Sequence, residues 1–141
     1  MAPDFLVTHS GGFHADELLS SVILTRLFPA ARLVRSRAPE WITPASDRLI
    51  YDVGGAYDPV AGSFHHHQRG APFRAAGPPF SSFGLIWRPL GRALPLDFGL
   101  PAPDLPALHA PFAPDCVLPC DLMATGALNP AAPGMRVAVT L

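Results

Sequence analysis

The sequence predicts an α/β fold in which a mostly parallel sheet is flanked by helices. Short apolar runs of strand length alternate with stretches of helical periodicity, and glycine turns close several of the apolar runs. The composition, 49% hydrophobic and 15% charged, is that of a chain able to pack a core. At 141 residues it is long enough for one domain and short for two. The expected division is a motif-bearing α/β core over about residues 1–70 and a helical and loop remainder over 71–141, where most of the 18 prolines lie.

Residues 4–8 (DFLVT) read as a buried strand that ends at the turn His9-Ser10-Gly11-Gly12. Over 14–28, Leu18, Leu19, Val22, Ile23 and Leu27 recur at three- and four-residue spacing, predicting a helix with these positions in the core. Asp16 and Glu17 fall in its first turn, where acidic groups suit the helix dipole, and Pro29 stops it. Residues 31–35 read as a second strand, 41–44 as a short helical or turn segment, and 48–53 (RLIYDV) as a third strand ending at Gly54-Gly55. A fourth extended piece spans 62–68 and carries three histidines. Residues 72–79 form a loop, 81–94 a helix kinked at Pro89, and two further helices are expected near 104–111 and 115–124. From Asn129 onward the chain reads as a poorly packed tail.

The net charge of −1 supplies no general attraction to nucleic acid, membrane or acidic partners, so any nucleic-acid contact must rest on local arginines. The N-terminus lacks the pattern of a signal peptide, and no apolar run approaches the roughly 20 residues of a membrane span. Cys116 and Cys120 read as ordinary thiols in a reducing cytoplasm. Oligomeric state is left open.

Three segments concentrate ligand-type residues: HSGGFHADE at 9–17, YDVGGAYD at 51–58 and FHHHQRG at 64–70. Imidazole and carboxylate together suit a borderline divalent ion such as Mn²⁺, Zn²⁺ or Fe²⁺ better than a calcium site. Two such ions activate a water and stabilise negative charge on a phosphoryl centre, which requires a carboxylate able to bridge them. Asp52, at the end of an apolar strand, is the candidate bridge; His9, His14 and Asp16 share one glycine turn as metal ligands, and the histidine run supplies a further ligand and a phosphate contact. The plainer readings stand beside these. A strand-end Asp often caps a turn, consecutive histidines can be a solvated loop, Arg35 and Arg37 can simply solvate a strand end, and His109 reads as a surface residue.

The blocks THSGGFHADE, DVGGAYDPVAGSFHHHQRG and SSFGLIW resemble the Myg-type exonucleases, also labelled metal-dependent protein hydrolases, a distant branch of the DHH phosphoesterases. The resemblance runs from about Phe5 to Gly134. It implies a DHH-phosphoesterase-like domain, a centre of two manganese-like ions (one if eroded), and 3′–5′ exonuclease action on RNA or short oligonucleotides. Carried over by position, His9, His14, Asp16, Asp52, His66 and Asp121 are implied metal ligands. Asp52 and His67 are implied catalytic residues, and His67, Arg69 and Arg37 substrate contacts.

Family members continue well beyond the length of this chain, so the family's C-terminal domain is expected to be missing. Three positions depart from the family pattern. His65 stands where an acid leads the Asp-His-His triplet, Ala124 and Thr125 replace an acid and an Asn, and Ala38 replaces the acid of the strand-two motif. These departures make a non-catalytic metal-binding domain the chief alternative, with a pyrophosphate or nucleotide hydrolase behind it.

Overall fold

The computed structural model describes residues 2–75 and 77–127; the tail expected from Asn129 lies outside them. Five strands, β1 (Phe5–Thr8), β2 (Arg32–Arg35), β3 (Arg48–Tyr51), β4 (Tyr57–Asp58) and β5 (Ser63–Phe64), form one sheet in the order β2-β1-β3-β5-β4. β1 pairs in parallel with β2 and β3, and β3 in parallel with β5, while β4 runs antiparallel to β5. The sheet is therefore mostly parallel, as expected. The extended piece over 62–68 shrinks to two paired residues, because the chain leaves the sheet at the histidines. β4 has no counterpart in the sequence reading; two residues are too few to show an alternating pattern.

Side chains alternate across the central strands. Leu6, Leu49 and Tyr51 enter the larger core, with Phe64, Ile23, Leu24, Phe83, Leu85, Ile86 and Trp87. Val7 and Ile50, with Val53, enter a smaller cluster on the opposite face, against Phe5, Val34, Trp41 and Ile42. Helices α1 (Ala15–Leu27), α3 (Ser82–Leu90) and α6 (Leu118–Ala124) pack on the first side and α2 (Pro39–Ile42) on the second. α2 begins earlier than the reading over 41–44 because Pro39, with φ preset, occupies its first turn. Pro89 falls in the last turn of α3, and the helix breaks just after it, before α4 (Ala93–Asp97). α5 (Leu105–Phe112) joins α6 through a π turn at Ala113–Val117. Among the described residues, no helix is long and apolar enough to cross a membrane.

α1 is rotated from its expected phase. Leu18 and Val22, read as core, are 42% and 63% exposed, and the buried line is Asp16, Glu17, Ser20, Ile23 and Leu24. The two acids of the first turn face inward, toward the C-terminal ends of the strands. The connections from β1 lead to β2 on one side, and those from β3 lead to β5 on the other. The gap between β1 and β3 is thus a topological switch point, where an open α/β sheet places ligands.

Candidate metal centre

His9 follows β1 and Asp52 follows β3, on either side of that switch point. Both are buried. Asp52 is in the left-handed region at φ 55, which Asp tolerates better than most residues; such strain persists where the surroundings over-determine it. Its two carboxylate oxygens face different partners. Oδ2 lies 3.2 Å from His9 Nε2 and 3.8 Å from His14 Nδ1. Oδ1 lies 3.4 Å from His66 Nδ1 and accepts a hydrogen bond of 3.1 Å from the Ser82 hydroxyl.

On the first side, His9, His14, Glu17 and Asp52 bring ligand-type atoms within 4.8 Å of one another. His9 Nδ1 is 3.2 Å from the Ser10 carbonyl, which can only accept, so Nδ1 carries the proton and Nε2 a lone pair. That Nε2 sits 2.8 Å from Glu17 Oε2 and 3.2 Å from Asp52 Oδ2, yet has no hydrogen-bond partner. A lone pair facing two carboxylate oxygens is reconciled by a cation. The spacings also match adjacent ligand atoms around an ion with bonds of about 2.1 Å, which lie roughly 3 Å apart at a right angle.

On the second side, Asp52, His66 and His67 form another such group. Buried Asp16 Oδ2 lies 3.8 Å from His66 Nδ1 and has no hydrogen-bond partner. Its carboxyl is pushed up to about 6, by burial first and then by the Asp52 charge, a penalty that a cation relieves. His66 is pushed down to about 3 by burial and then by its histidine neighbours, so it stays neutral, as a ligand must. The Ser82 backbone N–H donates to His66 Nδ1 at 3.2 Å and competes with an ion for that lone pair. The donor set fits a divalent ion on both sides, with Asp52 between.

The remaining sequence candidates are placed differently. His67 is exposed at the mouth, and Arg69 lines an adjoining cleft of ≈ 350 Å³ with His66 and His67. Arg37 Nε donates to the Ser10 carbonyl at 3.1 Å, beside the turn that carries His9. His65 is lowered by burial against the pull of Asp52, and its Nδ1 is buried without a partner. Asp121 is not brought into either group. It is fully buried, accepts from the Ser81 backbone N–H at 3.0 Å and from the Ser81 hydroxyl, and pairs with Arg74. His109 is not a plain surface residue either: its ring stacks on Trp87 at 4.9 Å.

Two contributors were missed in the sequence. Glu17 is more than the dipole residue its first-turn position suggests: His14-x-x-Glu17 has the spacing of a capping box, and Glu17 does accept the His14 backbone N–H at 3.3 Å. Ser82, at the start of α3, was covered only by the family block SSFGLIW.

Fold and site together define an α/β protein with a candidate divalent-metal centre at the C-terminal rim of its sheet. The chain belongs to the MYG1 exonuclease family, described as an uncharacterised protein family (UPF0160), whose sequence model matches residues 5–132. It is 40% identical over 105 residues to human MYG1 exonuclease and 39% over 108 to the mouse protein, in each case 67% of this chain and 27% of the relative. The MYG1 protein YER156C of Saccharomyces cerevisiae is 48% identical over 95 residues, 62% of this chain and 26% of its own. The chain thus spans about a quarter of the length of these relatives. No solved structure matches it.

Proposed function

We propose that this chain is a metal-dependent phosphodiesterase domain that hydrolyses RNA or short oligonucleotides from the 3′ end. Manganese-like ions would sit on the two sides of Asp52. The observation that carries the reading is the two-faced Asp52 carboxylate, with buried His9 and exposed His14 on one oxygen and buried His66 on the other. The exonuclease names of the human and mouse relatives support the substrate class. Bound ions would supply water activation and charge stabilisation at phosphorus. His9, His14 and Asp52 would hold one; Asp16, Asp52 and His66 the other.

The chain's own groups do the rest. Ser82 fixes the rotation of the Asp52 carboxylate through its hydroxyl. Exposed His67 would hydrogen-bond a non-bridging phosphate oxygen, and Arg69, in the adjoining cleft, and Arg37 would answer the charge of a flanking phosphate. The two thiols, both free, accord with a cytoplasmic location. The test is release of mononucleotides from a short labelled RNA with Mn²⁺, comparing the chain with Asp52→Asn. Chelator-sensitive release that the variant abolishes is expected; no turnover by the unaltered chain removes the catalytic claim.

A second reading, a domain that binds metal without turnover, is favoured by the capture of Asp121 by Arg74 and by the partnerless Nδ1 of His65. Manganese binding without cleavage is its signature.

A further inference from the structure

Arg35 ends β2, and the register Thr8↔Arg35 places it beside the strand that delivers His9. Its guanidinium has four anchors. It pairs with Glu17 Oε1 at 2.9 Å, donates to the carbonyls of Gly11 at 3.2 Å and Gly12 at 3.3 Å, and lies 3.9 Å from the centre of the Phe13 ring. All four belong to residues 11–17, the turn and helix start that follow His9. This is more than the solvation of a strand end.

Glu17 passes the constraint on. Its side chain is 2% exposed, so its charge depends on a partner. Oε1 is held by Arg35, which leaves Oε2 to accept the His14 backbone N–H at 3.3 Å and to face His9 Nε2 at 2.8 Å. One fork-shaped cation thus sets a carboxylate that touches both histidines of one side of the centre. A lysine at 35 could pair with Glu17 but could not reach two carbonyls and an aromatic face with the same geometry.

We propose that Arg35 and Glu17 are a positioning pair for the His9–His14 side of the centre: Arg35 closes the glycine turn and aims Glu17, and Glu17 holds the His14 backbone and turns its second oxygen toward the ion position that the His9 Nε2 lone pair also faces. The role rests on the metal reading above. A group that orients a ligand-type side chain from behind, as Arg35 does Glu17, commonly governs about 10–100-fold in metal affinity.

The test is Mn²⁺ titration by calorimetry and by loss of the free-ion paramagnetic resonance signal. It uses the unaltered chain, Glu17→Gln, Arg35→Met, Arg35→Lys and the double variant Glu17→Gln/Arg35→Met. Each single variant is expected to bind about 10–100-fold more weakly. The double variant should bind no more weakly than the worse single one, because Arg35 acts through Glu17. Without metal, hydrogen exchange at the His14 amide should quicken in all variants while the far-ultraviolet dichroism stays unchanged, which general unfolding would not produce. Unchanged affinity in Arg35→Met, or additive losses in the double variant, overturns the pair. If Arg35→Met does not fold, unchanged affinity in folded Arg35→Lys does the same. An unaltered chain that binds no Mn²⁺ is a different failure, overturning the metal reading and the pair with it.

Discussion

Asp52→Asn separates the metal centre from the fold that carries it. Asn tolerates the left-handed backbone at φ 55, whereas Ala there would cost about 1–2 kcal/mol for backbone reasons alone. Asn also keeps an oxygen for the Ser82 hydroxyl, now at 3.1 Å, and removes one of the two main causes that raise Asp16. The metal-free variant should therefore melt within a few degrees of the unaltered chain. Metal is another matter, because Asp52 contributes to both donor sets. With Mn²⁺ at a hundred times Kd, the unaltered chain should gain about 2.7 kcal/mol. That is roughly 8–13 °C in Tm for a chain of this size. Loss of a charged ligand should weaken binding at least about 100-fold, the upper end for groups one shell further out. The gain at the same concentration then falls to about 0.4 kcal/mol, or roughly 1–2 °C. Paired melts with and without Mn²⁺, read by dichroism, measure both numbers. A variant that keeps the full manganese shift would refute the placement of Asp52 between the two sets.

Two further outcomes follow from the packing. Gly54 has φ 90 and a Cβ there would lie 3.1 Å from the Ile42 carbonyl, while Gly55, at φ 69, faces open space. Gly54→Ala should cost about 2–3 kcal/mol and Gly55→Ala about 1, read by urea denaturation; equal losses would contradict the close approach of β3 and α2. Asp121→Asn should change stability by no more than about 1 kcal/mol, since burial, which holds the Asp121 carboxyl above the usual range, offsets its pairing with partly exposed Arg74. It should leave Mn²⁺ affinity unchanged. A loss matching that of Asp52→Asn would return Asp121 to the centre.

Much of this was legible because strand ends are punctuated. The apolar runs before His9 and Asp52 stop at glycine turns, and a parallel sheet gathers such ends on one rim. The phase of α1 was not legible. Leu18 and Val22 satisfy helical spacing as well as Ile23 and Leu24 do, and burial of Asp16 and Glu17 depends on histidines and an arginine from other segments. Asp121 carries the chemistry of a ligand but the position of a structural acid, a difference made by Arg74, 47 residues away. Ser82 acts through a backbone N–H and one hydroxyl, which no residue pattern advertises.

The centre draws on residues 9–17, 52, 65–67 and 82, and its parts behave differently when the chain opens. His9, Asp52 and Ser82 separate as the sheet is lost, but His65, His66 and His67 stay side by side, and a histidine run can hold an ion weakly in an unfolded chain. Metal therefore pulls on both ends of the folding equilibrium. Its net protection is the difference between a gathered site and a local one, so with rising ion concentration it levels off at a ceiling set by the ratio of the two affinities instead of growing without limit.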